Sequence, residues 1–252
     1  MLRMAVLAVL VACGGSGPQP PSSDDAVPPA PPGPVIIFSR TQGFRHVDAI
    51  AACKATLPAP LAAIGLTSIV TEDPAVFHDL STASAVLFAY TSGNNVLDAE
   101  GKAELERFVR SGGGWAGIHS AADTEYQWPF YQEMIVSHFL NHPAPQPATM
   151  DIVDRTNPAT AVLPDGRWTA TDEWYNFATN PRGDGVTILA TIDETSYTGG
   201  VMMGDHPMIW AHERLGGRVI YSEPGHAAAR WSEPAYVDHV VGAIRWVARV
   251  AE

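Results

Sequence analysis

Short apolar runs alternate along this chain with stretches whose apolar residues recur at helical spacing. Val35–Ser39 and Ala85–Tyr90 are unbroken apolar runs of the length a buried strand needs. Leu66–Thr71 and Trp115–His119 read the same way. Between them lie helical segments. Residues 46–57 form the first, and Pro58 and Pro60 are expected to end it. Asp73-Pro74 should open a short helical turn. Ala99–Arg110 places Leu105, Phe108 and Val109 on one face with charges between, and Gly112-Gly113-Gly114 stops it. Strand and helix in alternation predict a parallel sheet covered on both faces.

The second half is richer in strand. Thr149–Val153, Gly185–Ile192, Pro207–Glu213 and Arg218–Ser222 are candidates, and Leu215-Gly216-Gly217 joins the last two as a hairpin. Pro234–Val250 has helical periodicity and should close the fold. No internal repeat interrupts residues 35–252, which read as one domain. Ligands in such sheets sit at the carboxyl ends of the strands.

The N-terminus has a different pattern. Residues 4–12 are an apolar run behind Arg3, too short to span a bilayer as a helix, which takes about 20 residues, and suited to an export signal. The run ends in Leu10-Val11-Ala12-Cys13, which resembles the bacterial lipobox. That resemblance implies removal of residues 1–12 and lipidation of Cys13, hence an exported protein anchored on the cell envelope. Residues 14–34 contain eight Pro and four Gly, so no helix or strand propagates there. This stretch reads as an extended spacer.

Composition narrows the function. The 252 residues carry 15 Lys and Arg against 27 Asp and Glu, a formal charge of −12. Such an acidic balance offers no surplus of cations to neutralise phosphates, so nucleic acid is not an expected partner. With two cysteines, neither a disulfide framework nor a four-thiolate zinc site is available. With Cys13 lipidated, Cys53 is the remaining thiol. Nothing in the pattern fixes an oligomeric state.

The loops at the expected carboxyl ends are rich in imidazole. His46 follows the first strand, His119 the fourth and His226 the last. Of the nine histidines, these three sit where the fold places ligands. His78 and His239 lie in helical, polar surroundings and read as surface residues. His142 and His206 each precede a proline and are either loop-shaping or functional.

Several of these segments together resemble the ThuA-like proteins, named for trehalose utilisation. They are Ser-Arg-Thr-Gln-Gly-Phe-Arg-His (39–46), Gly-Gly-Gly-Trp-Ala-Gly-Ile-His-Ser-Ala-Ala-Asp-Thr (112–124) and Asp-Glu-Trp-Tyr-Asn-Phe (172–177). Asp-His-Pro-Met-Ile-Trp (205–210) and Gly-Gly-Arg-Val-Ile-Tyr-Ser-Glu-Pro-Gly-His (216–226) complete the set. The resemblance implies the fold of class I glutamine amidotransferases: a flavodoxin-like α/β three-layer sandwich, its central sheet mainly parallel, with a C-terminal β-hairpin as antiparallel extension. In those enzymes a cysteine occupies the sharp turn after the Gly-rich strand. Here that turn holds His119, so thiol amidotransfer is excluded. Ser120 lacks the Gly-x-Ser-x-Gly frame of a nucleophile elbow.

Imidazoles and carboxylates in such loops fit an enzyme acting on a sugar or keto-glycoside. His46, His119 and His226, with Glu173, form a candidate site for a divalent metal, zinc by preference. Alternatively His119 and Glu173 serve as a metal-free acid/base pair for elimination, isomerisation or hydrolysis. No nucleotide cofactor is expected. Asp123, His142, His206, Tyr175 and the aromatic faces of Trp128 and Trp174 are candidate substrate contacts. The competing reading is a non-catalytic carbohydrate-binding module on the envelope.

Overall fold

A computed structural model describes residues 33–250. The expected leader, Cys13 and the spacer up to residue 32 lie outside the described residues. Among the described residues no helix is long and apolar enough to cross a membrane.

Five strands form the parallel half of one nine-stranded sheet. They are β1 (Val35–Phe38), β2 (Ser68–Thr71), β3 (Ala85–Ala89), β4 (Gly114–Ile118) and β11 (Val219–Ser222), in the order β2-β1-β3-β4-β11. Strands β1, β3, β4 and β11 are buried along their whole length, as continuous apolar runs require. The sheet then continues antiparallel through β10 (Pro207–His212), β9 (Val186–Ile192), β6 (Gln146–Ile152) and β7 (Arg167–Asp172). The hairpin of β10 and β11 joins the two halves, pairing Ile209 with Ser222 and His212 with Val219. A separate two-stranded ribbon pairs β5 (Phe139–Asn141) with β8 (Asn176–Phe177). The flavodoxin-like α/β arrangement and its antiparallel extension are therefore present.

The helices are α1 (Val47–Thr56), α2 (Pro58–Ala63), α3 (Ala99–Arg110), α4 (Pro129–Ile135), α5 (Pro158–Ala161) and α6 (Pro234–Val247). Asp98 caps α3 by accepting from the Gly101 N–H, and Asp73 caps its own turn through Ala75, each satisfying a free helix-end donor. Gly114 does more than end α3. A Cβ there would lie 2.1 Å from the Val247 carbonyl oxygen, so its bareness lets α6 close on the sheet.

The first helix ends at Thr56, just before Pro58, as expected. One feature is added and one expectation is corrected. A second helix, α2, starts at once with Pro58 and Pro60 in its first turn, where proline is tolerated. Leu57 keeps right-handed helical dihedrals, and its N–H still reaches the Cys53 carbonyl. His239 is fully buried, not at the surface. Its Nδ1–H donates to the Ala159 carbonyl at 2.7 Å and its Nε2 accepts from Ser222 Oγ at 2.8 Å. The apolar pattern does not reveal strand β7, because only Trp168 and Ala170 supply apolar inward positions, while the third inward residue is Asp172.

Candidate functional site

The carboxyl ends of β1, β4 and β11 deliver three imidazoles to one point. The ring centroids of His46 and His119 are 4.7 Å apart, those of His46 and His226 5.0 Å, and those of His119 and His226 5.4 Å. Glu173, from the loop after β7, closes the group. One ligand atom from each of the four residues lies within 4.8 Å of the other three. Glu173 Oε2 is 3.2 Å from His226 Nδ1 and 3.5 Å from His119 Nε2.

Local geometry aims each residue. His119 has φ +51°, the strained left-handed conformation of a sharp strand-to-turn corner, and Tyr221 Oη holds its carbonyl at 2.8 Å. The His119 Nδ1 lies 3.0 Å from the Glu223 carbonyl oxygen. A carbonyl only accepts, so Nδ1 carries the proton, and in the neutral ring Nε2 is left as a free lone pair facing the cluster. His46 is fixed from behind by a 3.3 Å hydrogen bond between its Nδ1 and Ser120 Oγ.

His226 is held through its backbone. Asp172 Oδ1 accepts from the His226 N–H and Oδ2 from the Gly225 N–H, both at 2.9 Å. Arg230 Nε pairs with Asp172 Oδ2 at 3.2 Å in a buried setting. Tyr90 Oη donates to the Gly225 carbonyl at 2.7 Å. Gly225 must be glycine, since its φ is +137° and a Cβ would lie 2.1 Å from Tyr236 Oη.

Electrostatics divides the cluster. Burial, and then the neighbouring His119 and His226, push the His46 pKa down to about 3. Burial also opposes charge on His119, but Glu173 and Glu223 outweigh it and raise its pKa to about 10. Burial works against charge on Glu173 too, yet His119 and His226 hold its carboxyl well below the usual carboxylate range. Glu223 is buried and pushed up to about 7, with His119 pulling the other way.

The donor set fits a divalent ion. His119 Nε2 and His226 Nδ1 are buried without a hydrogen-bond partner among the described residues, a cost normally avoided unless something else fills the space between them. Zinc–nitrogen bonds of about 2.0–2.1 Å put neighbouring tetrahedral ligand atoms roughly 3.3 Å apart. The spacings from Glu173 to His119 and His226 match that value. The Glu223 carbonyl behind His119 is the kind of outer support that fixes a ligating tautomer.

Above this floor is a cavity of about 300 Å³ lined by Phe44, His46, Asp123, Phe139, His142, Glu173 and Tyr175. Tyr175 and Phe139 pack at 4.3 Å, and Tyr175 also lies 4.3 Å from the His119 ring. His142 Nδ1 is 3.1 Å from Glu173 Oε1, with a half-exposed ring. Asp123 accepts from Tyr126 Oη at 2.7 Å, and burial raises its pKa against that bond.

Three expected contacts lie elsewhere. Trp174 is completely buried and donates from Nε1 to the Gln146 carbonyl, so its faces are unavailable to a ligand. Trp128 packs over Tyr131 and Phe130 with Lys102 above its ring, away from the cavity lining. His206 lies behind Tyr175, donating from Nε2 to the Tyr175 carbonyl at 2.8 Å, and so positions the wall of the cavity without forming it. Conversely, Phe44, Phe139, Asp172 and Glu223 belong to the site or its support although the sequence assigns none of them a role. Phe44, Asp172 and Glu223 lie within the motifs, and for the two carboxylates an ionisable residue at the end of a buried strand is the available signal.

A family model described as ThuA, trehalose utilisation, matches residues 34–247. A ThuA-like protein from Bacteroides uniformis superposes with a TM-score of 0.73 at 23% identity, covering 88% of this chain and 94% of its own. One from Parabacteroides merdae gives 0.69 at 17% identity, covering 86% and 90%. A GMP synthase protein from Thermoplasma acidophilum gives 0.50 at 11% identity, covering 86% and 94%. Identities this low speak for the fold alone. No curated protein matches the chain.

Proposed function

The chain belongs to the ThuA family, described by trehalose utilisation, and from that premise we propose that it is a metal-assisted enzyme acting on a sugar or keto-glycoside. One observation carries the reading: ligand atoms of His46, His119, Glu173 and His226 converge beside a cavity that His46 and Glu173 line, and two of the imidazole nitrogens have no hydrogen-bond partner among the described residues. A cavity of about 300 Å³ is at the small end of ligand pockets, which run to about 1,000 Å³. It suits one sugar ring. The aromatic rings of Phe44 and Phe139 suit the C–H faces of that ring, with Tyr175 buried behind Phe139, and Asp123 and His142 suit its hydroxyls.

A divalent ion bound there supplies Lewis-acid polarisation of a substrate oxygen. The remaining work belongs to the chain. His46 stays neutral and His119 presents Nε2, so both offer lone pairs once the His119 proton has left. Glu173 keeps its charge and balances the cluster. His142, half-exposed and against Glu173 Oε1, can carry a proton between the cavity and solvent. Asp123, whose carboxyl is shifted toward neutrality by burial, is placed to take a proton next to a substrate carbonyl. Elimination from, or isomerisation of, a keto-glycoside uses these roles. The lipobox-like Leu-Val-Ala-Cys order supports a place on the envelope, with Cys13 as anchor.

The test is metal analysis of the purified protein, then turnover of oxidised and unoxidised disaccharides with and without chelator. We expect one bound divalent ion per chain and chelator-sensitive turnover of an oxidised sugar. Sugar binding with no metal and no turnover would make the protein a binding module.

A further inference from the structure

Asp123 lines the cavity beside the cluster, and its two carboxylate oxygens are not equivalent. Oδ1 accepts from Tyr126 Oη at 2.7 Å. Oδ2 has no hydrogen-bond partner among the described residues, yet it is not sealed from solvent. Tyr126 stands one layer behind, outside the cavity lining.

The position of Tyr126 is itself enforced. Its ring stacks on His138, with centroids 4.5 Å apart and planes 25° apart. His138 is fixed in turn by donating from Nε2 to the Thr124 carbonyl at 3.0 Å, and burial lowers its pKa, so the stack carries no charge near neutral pH. The Tyr126 carbonyl accepts from Gln132 Nε2 at 2.6 Å. Between Asp123 and Tyr126 the chain turns at Glu125, whose φ of +52° is the left-handed conformation seldom taken by a residue with a side chain. The buried Glu125 carboxylate locks that corner, accepting from the Val96 N–H at 2.9 Å and pairing with Lys102 at 2.6 Å. Such a conformation persists where its surroundings enforce it, and here it presents the phenol to the carboxylate three residues earlier.

We propose that Tyr126 is the positioning residue of the acid/base group: its hydroxyl turns the Asp123 carboxylate so that Oδ2, and not Oδ1, meets the substrate as proton acceptor. The inference rests on the reading of Asp123 as base toward a keto-glycoside. Burial and the neighbouring Asp123 raise the Tyr126 pKa, so the phenol keeps its proton and donates it to the hydrogen bond. An oxygen that already accepts a short hydrogen bond is the weaker base of the two, which leaves Oδ2 for the chemistry. In that step the C–H bond next to the substrate ketone breaks and an O–H bond forms at Asp123 Oδ2. The electron pair moves into the enolate, with its charge on the former carbonyl oxygen. Tyr126 Oη also lies 3.3 Å from the Phe139 carbonyl, a second acceptor that ties the base to the strand carrying the Phe139 wall.

The experiment follows, by NMR in D2O, exchange of the proton next to the ketone of oxidised methyl glucoside, with the purified full chain and zinc present. Native protein, Tyr126→Phe, Asp123→Asn and the double variant are compared. Tyr126→Phe keeps the ring and its stack on His138 and removes the hydroxyl. Its kcat should fall about tenfold, the scale of one hydrogen bond to a charged group, with KM within about twofold. Asp123→Asn should lose about 100-fold or more. In the Asp123→Asn background, Tyr126→Phe should change kcat by less than about twofold, because a residue that acts through another has nothing left to act on. Thermal melts confirm that the variants are folded. Native kcat in Tyr126→Phe, or the same tenfold loss in both backgrounds, overturns the positioning role and leaves the sugar reading intact. Exchange undiminished in Asp123→Asn removes Asp123 as the base, and no exchange by the native protein removes the keto-glycoside reading; either result takes the Tyr126 assignment with it.

Discussion

Two imidazoles in this protein are equally hidden from water and opposite in every other respect. His239, where α6 meets β11, and His119, at the corner after β4, are both fully buried. Both nitrogens of His239 are hydrogen-bonded, to Ala159 and Ser222, and burial drives its pKa down to about 4. His119 has one nitrogen bonded to the Glu223 carbonyl and the other, without a hydrogen bond among the described residues, 3.5 Å from Glu173 Oε2, and two carboxylates override burial to lift its pKa to about 10. Burial does not separate the two cases, and an open nitrogen alone does not either: His212, buried on β10 and bonded through Nε2 to the Met134 carbonyl, also leaves Nδ1 without a hydrogen bond among the described residues. What sets His119 apart is that its open nitrogen faces a carboxylate and two further imidazoles.

The comparison breaks most sharply on metal uptake. His119→Ala should lower zinc affinity by about 100-fold or more, the loss of a direct ligand exceeding the roughly 10–100-fold typical of outer-shell changes. His239→Ala should leave zinc affinity unchanged and cost about 2–4 kcal/mol of stability in denaturant titrations, from the cavity and the orphaned Ser222 and Ala159 partners. Zinc loss in both variants would erase the distinction.

Asp172→Asn comes next. It keeps the shape but removes the charge facing Arg230 and weakens the two N–H bonds that hold Gly225 and His226. Stability should fall by about 1–3 kcal/mol, the scale for weakened buried hydrogen bonds, since Arg230 keeps Glu233 as an ion-pair partner. Zinc affinity should fall about 10–100-fold because the His226 loop loses its anchor. A variant that is less stable but binds zinc normally would show that Asp172 supports the fold and not the site.

The pH dependence sharpens the contrast by its sign. His119 is protonated in the folded, metal-free protein up to about pH 10 but only to about 6.5 when unfolded. Its contribution to stability is fully present below about 6.5 and is lost as pH rises toward 10. His239 is neutral when folded down to about pH 4, so its contribution is present above about 6.5 and is lost as pH falls toward 4. Chemical denaturation across pH, native minus variant, should show these opposite slopes for His119→Ala and His239→Ala. Slopes of the same sign would refute the electrostatic difference. Zinc affinity should rise with pH over the range where His119 loses its proton.

The smallest effect concerns the rim. Phe44→Ala should weaken glycoside binding only several-fold, as expected for one partly exposed ring, and leave zinc affinity unchanged. Its ring lies 4.8 Å from His46, so a change in zinc affinity would place Phe44 among the supports of the floor.

Much of this is legible in the residues. Continuous apolar runs announce β1, β3, β4 and β11 because strands buried on both faces have no polar side to disguise them. Knowing that ligands gather at carboxyl ends then selects His46, His119, Glu173 and His226, which the structure brings to one point. What the chain pattern conceals is which side of a residue is free. Trp174 and Tyr175 are neighbours in one motif and both are buried, yet only Tyr175 lies against the cavity. His206 and His142 both precede prolines, yet one backs the wall and the other meets Glu173. His239 reads as a surface residue because Asp238 stands beside it, although Val240 and Ala243 mark the buried face it shares, and its position toward β11 depends on tertiary packing. Glu223 resembles any strand-end carboxylate until the His119 ring is set against it.

Whether the four-residue cluster is a metal centre is decided by calorimetric titration of zinc into chelator-stripped protein, beside His119→Ala and His239→Ala. One tight site per chain is expected in the native protein and in His239→Ala, and its loss in His119→Ala. No zinc uptake by the folded native protein, or equal uptake by native protein and His119→Ala, would rule the metal centre out.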